Sequence, residues 1–174
     1  MKLSSQRGFT LVEILIVVVI MGILAAIVVP QFSQSSDDAR FTSTVQNLQS
    51  LRGQIDLYRN QHEGKFPGTA AGASPDVVFS EQMTLPSNEA GAKSLAANQG
   101  FGDPLFPYGP YIHNQLPANP FNSSRSVTSV TAFTAAAPGG DAATDPGWIY
   151  ETTSGRIRIN KTGNTPDGIS WWSL

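Results

Sequence analysis

Glu13 is the residue with the clearest chemical meaning, because it is the only charged residue in the apolar run from Phe9 to Val29. A charge inside a membrane helix costs about 2.5–3.5 kcal/mol on insertion scales, so such a residue is usually functional and paired. Cleavage of the chain between Gly8 and Phe9 would create an α-amine four residues before Glu13. That amine is the cation that Glu13 otherwise lacks, so one interpretation of the run is a cut just before it.

The same apolar run permits two simpler interpretations. A helix over residues 9–29 would span roughly 31 Å, about the thickness of a hydrocarbon core. A secretory signal peptide has a shorter apolar core of about 7–15 residues that ends at a small-residue cleavage site, whereas this run ends at Val28-Val29-Pro30. A plain signal anchor explains the length of the run but gives no role to Glu13.

The sequence Gly-Phe-Thr-Leu-Val-Glu at residues 8–13 follows a short basic leader and precedes the apolar run. This arrangement resembles the processing motif of type IV pilins and type II secretion pseudopilins. The resemblance implies cleavage between Gly8 and Phe9 by a prepilin peptidase, and then N-methylation of Phe9. It also implies assembly into a helical filament with the apolar segments at its centre, where Glu13 of one subunit pairs with the Phe9 amine of a neighbour.

The chain is expected to have four parts, which are a leader, a membrane and filament-core helix, an amphipathic helix and a globular head. In chain order these parts are residues 1–8, 9–29, 30–62 and 63–174. Apolar residues recur at helical spacing from Phe41 to Tyr58, which predicts that the two helical parts form one long helix. Gly22 and Pro30 fall where pilin helices commonly have helix-weakening residues, so we expect the helix to be bent or loosened between them.

The first part of the head is predicted to contain one short helix and long loops. Ser74 is a good N-cap and Pro75 a favoured first helical residue, which predicts a helix from Pro75 to about Thr84. Residues 103–121 are rich in proline and aromatic residues, and we expect an ordered loop that buries its rings. The pattern Gly-Pro-Tyr followed by Leu-Pro-x-Asn-Pro-Phe in this loop resembles the corresponding stretch of major pseudopilins.

The second part of the head is predicted to form a sheet. Residues 148–152 and 156–160 alternate around a Thr-Ser-Gly turn, which predicts a β-hairpin, and residues 127–133 predict a further strand. The hairpin residues predicted to face the long helix are Trp148, Tyr150, Ile157 and Ile159. Trp171 and Trp172 are interpreted as core or edge packing. The expected fold class is therefore α+β, a pilin-like fold with a long N-terminal helix packed on a small antiparallel sheet with long loops.

Composition excludes several classes of function. Loss of the leader removes Lys2 and Arg7 from 11 basic side chains, which leaves 9 against 13 acidic side chains and a formal net charge of −4. An acidic chain argues against nucleic-acid binding through phosphate contacts. The sequence has no cysteine, so disulfides, zinc–thiolate sites and thiol nucleophiles are absent.

The sequence shows no catalytic arrangement, so we do not expect an enzyme. His62 and His113 lie at a helix end and in a proline-rich loop with no nucleophile motif nearby. Major pseudopilins often bind calcium in their C-terminal loops, and Asp141, Asp145 and Asp167 are the acids that could contribute oxygen ligands here. The sequence has no dense run of such ligands, so solvated loop acids are the favoured interpretation and no metal ligand is assigned.

The basic leader predicts the topology, because positive residues near a membrane helix stay on the cytoplasmic side. We expect a single-pass protein of a bacterial inner membrane with its head outside, and a filament in the periplasm or at the cell surface. The resemblance implies as partners further copies of the chain, a prepilin peptidase/methyltransferase, an inner-membrane assembly platform and minor pseudopilins.

The leading interpretation is a structural subunit of a type II secretion pseudopilus. One alternative is a type IV pilin that serves adhesion, motility or DNA uptake. An alternative of another class is a membrane-anchored binding module or enzyme, although the position of Glu13 argues against a simple anchor.

Overall fold

A computed structural model describes residues 8–69, 74–94, 103–134 and 139–174, and only the backbone of residues 29–34. Except for Gly8, the predicted leader lies outside the described residues. The described part contains helix α1 (Leu11–Gln61), helix α2 (Pro75–Thr84), strands β1 (Val127–Val130), β2 (Trp148–Glu151) and β3 (Ile157–Ile159), and a 3₁₀ turn (Trp171–Ser173). The chain forms two compact units, Met1–Ala39 and Arg40–Leu174.

The first unit contains the apolar part of α1. The window Leu11–Val28 has a mean hydropathy of 3.1, and none of it is buried inside the protein. This segment is long and apolar enough to cross a membrane. A helix that is apolar all round needs lipid or other apolar helices about it, and in lipid its backbone must satisfy its own hydrogen bonds, which favours a helix despite the many β-branched residues.

Helix α1 continues through Gly22 and Pro30 as one element, which confirms the predicted single long helix. Pro30 has no backbone N–H, so one helical hydrogen bond is missing at this point. Helices that lie in membranes tolerate such an interruption, because neighbouring helices and local adjustments satisfy the freed carbonyl.

The core of the second unit forms between α1 and the sheet. Leu48, Leu51, Ile55 and Tyr58 follow each other at helical spacing and are all at most 2% exposed. They pack in one cluster with the four hairpin residues predicted to face the helix, which are Trp148, Tyr150, Ile157 and Ile159. Burial of a large apolar side chain contributes about 1.5–3 kcal/mol relative to its exposure, so this contact stabilises both elements.

The two C-terminal tryptophans are part of the head's interior. Trp171 packs edge-on against Phe41 of α1 and Phe121, with ring centroids 5.7 and 4.8 Å apart. Trp172 is 8% exposed, and its indole N–H donates to the Thr134 carbonyl at 2.8 Å. The 3₁₀ turn therefore packs its aromatic pair inside the head, in agreement with the interpretation from the sequence.

The sheet has the strand order β1-β2-β3. Strands β2 and β3 form the predicted antiparallel hairpin, with Tyr150 opposite Ile157. Strand β1, however, pairs with β2 in parallel, so the sheet is mixed and not wholly antiparallel. The reason is the connection over residues 131–147, which is long enough to return the chain to the same end of the sheet, as a parallel pair requires.

Side chains from the helices bind backbone groups of both outer strands. The Ser129 N–H of β1 donates to Asp76 Oδ1 at 2.5 Å. On the other side, Arg52 Nη2 donates to the Ile157 carbonyl of β3 at 3.2 Å. These contacts attach each helix to the sheet and occupy groups that would otherwise be open to another strand.

His62, just after α1, connects the helix to the proline-rich loop. Its fully buried ring stacks on Tyr58 with centroids 3.8 Å apart. Its Nδ1 lies 2.8 Å from the Tyr58 carbonyl and its Nε2 lies 3.0 Å from Ser87 Oγ. Because a carbonyl only accepts, Nδ1 carries the hydrogen and Nε2 accepts from Ser87. The backbone of Ser87 in turn exchanges hydrogen bonds with Tyr108, which attaches the loop to the segment after α2.

We predict that His62 makes the stability of the head depend on pH. Burial lowers its pKa, although the hydrogen bond to Tyr58 acts in the opposite direction. The unfolded chain, with a histidine pKa near 6.5, then binds a proton at a higher pH than the folded chain. The free energy of unfolding should therefore fall as the pH drops below about 6.5, until the folded form is also protonated.

Thermal unfolding of the full chain in detergent, followed by tryptophan fluorescence across this range, measures the effect. His62→Gln should give a flatter dependence of Tm on pH than the unmodified chain. His113→Gln is the matched control, since His113 is exposed, and it should leave the dependence in place. Equal slopes for His62→Gln and the unmodified chain would contradict the prediction.

Candidate processing and assembly site

The peptide bond predicted to be cut lies just before α1. Gly8, Phe9 and Thr10 are outside the helix and exposed, and the Phe9 side chain is 85% exposed. Accessible non-helical backbone is where proteolysis occurs most readily. The Gly8–Phe9 bond therefore has the local structure that cleavage requires.

Thr10 and Glu13 form a capping box at the start of α1. The Glu13 N–H donates to Thr10 Oγ1 at 3.2 Å, and the Thr10 N–H donates to Glu13 Oε2 at 2.8 Å. The Thr10 hydroxyl also donates to Glu13 Oε2 at 2.7 Å. The two residues thus satisfy backbone N–H groups that have no partner within the helix.

The cap holds Glu13 at Thr10, the residue that follows Phe9 at the predicted cut. All three bonds use Glu13 N or Oε2, so carboxylate oxygen Oε1 takes no part in the cap. A carboxylate in the first turn is also favoured by the helix dipole. The role of Thr10 was missed in the sequence reasoning, although Thr-x-x-Glu before an apolar run is the sequence signal of a capping box.

The three late acids that were candidates for calcium have different surroundings. Asp141 Oδ1 lies 2.6 Å from Lys161 Nζ, and Oδ2 accepts from the Thr162 hydroxyl; these two donors lower the pKa of Asp141. Asp145 Oδ2 accepts from the Ala142 N–H at 3.0 Å, while Asp167 is exposed. Within the described ranges, no three acidic or histidine side chains gather as a metal site.

These surroundings do not fit a calcium ion, which takes six to eight oxygen ligands. At Asp141, both carboxylate oxygens are bound to donors from Lys161 and Thr162.

Comparison with known proteins identifies the chain. A family model described as the prokaryotic N-terminal methylation motif matches residues 3–29. The type II secretion system core protein G of Klebsiella pneumoniae is 32% identical over 127 residues, which cover 73% of this chain and 77% of that protein. The chain belongs to the type II secretion core protein G family. It is accordingly a pseudopilin, a structural subunit of a pseudopilus.

Other pseudopilins of this family match over shorter stretches. The core protein G of Klebsiella michiganensis is 42% identical over 72 residues, and that of Pseudomonas aeruginosa is 40% identical over 72 residues. Each match covers 41% of this pseudopilin and 50% of the relative. No solved structure matches the chain.

The hydrogen bond between Ser87 and His62 joins a hydroxyl and an imidazole, the groups that act as nucleophile and base in many enzymes. Both side chains are 0% exposed, so no substrate reaches them. The relatives are structural subunits, and this contact serves the packing of the head.

Gly22 and Pro30 lie within α1 and away from the cap. An added Cβ at Gly22 would meet no atom within 4 Å, so packing inside one subunit does not require a glycine there. A small surface of this kind allows another helix to approach closely. Pro30 has helical backbone, and its loosening effect stays a prediction.

We predict that the Thr10 hydroxyl fixes the first turn of the pseudopilin helix. Loss of an N-cap typically costs about 1 kcal/mol, so Thr10→Val should speed amide hydrogen exchange at Glu13 by roughly fivefold. The measurement is hydrogen exchange on the chain in detergent micelles. Thr10→Ser keeps the cap oxygen and should exchange like the unmodified chain. Unchanged exchange in Thr10→Val would show that the hydroxyl does not hold this turn.

Proposed function

We propose that this pseudopilin is cut between Gly8 and Phe9, N-methylated at Phe9, and added to the base of a pseudopilus that pushes exported proteins outward. The observation that carries the proposal is the exposed apolar segment Leu11–Val28, which begins next to a capped glutamate. Before assembly, lipid would cover this surface. After assembly, the same segments of neighbouring subunits would cover it.

The exposed surface supports transfer from a membrane into a filament. The large apolar side chains from Leu11 to Val28 are each between 42% and 83% exposed. Contact between such helices relies on close packing and not on the hydrophobic effect, since lipid is equally apolar. A segment of this kind therefore exchanges lipid neighbours for subunit neighbours at small cost in solvation.

A pair between Glu13 and the Phe9 amine would fix the axial position of one subunit against the next. Cleavage leaves a cation on Phe9, while the Thr10 cap leaves Glu13 Oε1 available. In an apolar surrounding an unpaired charge is costly. Pairing of Glu13 with the amine of a neighbouring subunit would remove this cost only at one axial position, so it would select the correct position.

The proposal also assigns a cellular location to each part of the chain. The basic leader would stay in the cytoplasm, α1 would anchor the chain in the bacterial inner membrane, and the head would lie outside. The partners in this proposal are a prepilin peptidase/methyltransferase, an inner-membrane assembly platform, minor pseudopilins and further copies of the chain.

Co-expression with a prepilin peptidase and the assembly components tests this function. We expect the intact mass of the membrane-extracted chain to correspond to a protein that begins at N-methylated Phe9. A chain that retains residues 1–8, or that is cut after Val29, would overturn the proposal.

Glu13→Ala tests assembly separately from processing. It should still be cut after Gly8 yet give at least about tenfold fewer sheared filaments, because breaking a buried charge pair is strongly destabilising. Glu13→Asp keeps the charge and serves as the matched control, with a smaller loss expected. Normal filament yield from Glu13→Ala would contradict the role of the pair.

A further inference from the structure

The inference concerns two loops of the head, here named the late loops, which comprise residues 139–147 and 160–170. Lys161 of the second loop binds Asp141 of the first through Nζ and Oδ1 at 2.6 Å. The next residue, Thr162, donates its hydroxyl to the other carboxylate oxygen. Consecutive residues of one loop therefore bind both oxygens of a single acid on the other.

Lys161 is more enclosed than an ordinary surface lysine. Its side chain is 22% exposed, and its Nζ lies 5.4 Å from the centre of the Phe121 ring. A lysine can bury its stem when its charge finds partners, and an aromatic face adds a favourable cation–π contact. The ammonium group is thus held between a carboxylate and a ring, and these three groups come from three separate parts of the chain.

Amide groups bind the backbone carbonyls of the late loops. Three buried asparagines supply them, namely Asn119, Asn122 and Asn160. Asn122 Nδ2 lies 3.2 to 3.4 Å from three carbonyls of the first loop, those of Gly140, Asp145 and Pro146. Asn160 Nδ2 donates to the Pro146 carbonyl, and Asn119 Nδ2 to that of Gly147, at 2.8 and 3.0 Å.

Several groups near Asp141 that a cation would bind are therefore occupied. The Asp141 carboxylate has an ammonium and a hydroxyl partner, and amide groups bind four carbonyls of the first loop, those of Gly140, Asp145, Pro146 and Gly147. The buried Asn160 Oδ1 is the side-chain oxygen of the described late loops that has no partner. A divalent ion at Asp141 would also meet the repulsion of Lys161 at short range.

We propose that Lys161 is a built-in cation that joins the late loops, so that the head stays folded without calcium. The proposal goes beyond assembly and concerns the conditions under which the subunit is stable. It assigns to one side chain of the protein the charge that calcium would otherwise supply.

Thermal unfolding of the unassembled full chain in detergent tests the proposal, with an excess of either EGTA or calcium chloride. The Tm of the unmodified chain should differ by less than about 1 °C between the two conditions. Lys161→Met should lower the Tm by roughly 3–5 °C in both, as expected in a chain of this size for loss of a charged hydrogen bond from a largely enclosed lysine to a half-exposed aspartate.

The chain offers a matched control in Lys65, which binds Glu63 at 2.7 Å with both side chains more than half exposed. Lys65→Met should lower the Tm by less than about 1 °C, because exposed pairs contribute little. Lys161→Arg keeps the charge and should restore much of the Tm, which separates the charge from simple loss of packing.

Two results would overturn the proposal. The first is a Tm of the unmodified chain that falls by more than about 5 °C in EGTA and recovers with calcium. The second is a Lys161→Met chain that is no less stable than Lys65→Met. Neither measurement requires filaments, so failure here is distinct from failure of the proposed assembly function.

Discussion

The apolar surface of Leu11–Val28, which no described part of the chain covers, is the constraint on which the rest of the structure depends. Water cannot surround this segment at low cost, so the protein needs lipid or copies of itself. The constraint also explains the chemistry at its start. Backbone groups and a charge that enter an apolar phase need partners, and Thr10 and Glu13 provide them for each other.

The second unit solves the opposite problem, which is to fold in water around one side of the same helix. Beyond Arg40, α1 has a narrow apolar stripe in place of an apolar surface all round. The stripe of Leu48, Leu51, Ile55 and Tyr58 finds its partner in one face of the β2–β3 hairpin. The same helix therefore suits an apolar surrounding at its start and an aqueous one at its end. Its sequence changes along its length from uniformly apolar to periodically apolar.

The sequence predicted the features that depend on neighbours in the chain. Periodicity was sufficient for α1, the Ser74–Pro75 start for α2, and alternation around a turn for the hairpin. The capping box of Thr10 also depends only on chain neighbours, and the pattern Thr-x-x-Glu would have predicted it. The alternating pattern of a short strand such as β1 does not indicate which strand lies beside it. The parallel pairing of β1 with β2 is therefore visible only in the structure.

The contacts of the late loops were beyond local reasoning. Lys161 and Asp141 are separated by 20 positions, and Asn119 binds the carbonyl of Asn160 across 41 positions. Each of these residues, taken alone, resembles an ordinary loop residue with a solvated side chain. Only the fold brings them together, and it adds an ion pair at Asp141 and a set of buried amides to loop acids of which Asp141 and Asp167 are exposed, as expected.

The short outer strands of the sheet have a consequence for a subunit that comes close to copies of itself. Strand β1 has four residues and β3 has three, and each already donates or accepts a hydrogen bond with a helix side chain. Short outer strands that already bind helix side chains offer little backbone to a strand from another head, so edge-to-edge pairing between copies is disfavoured.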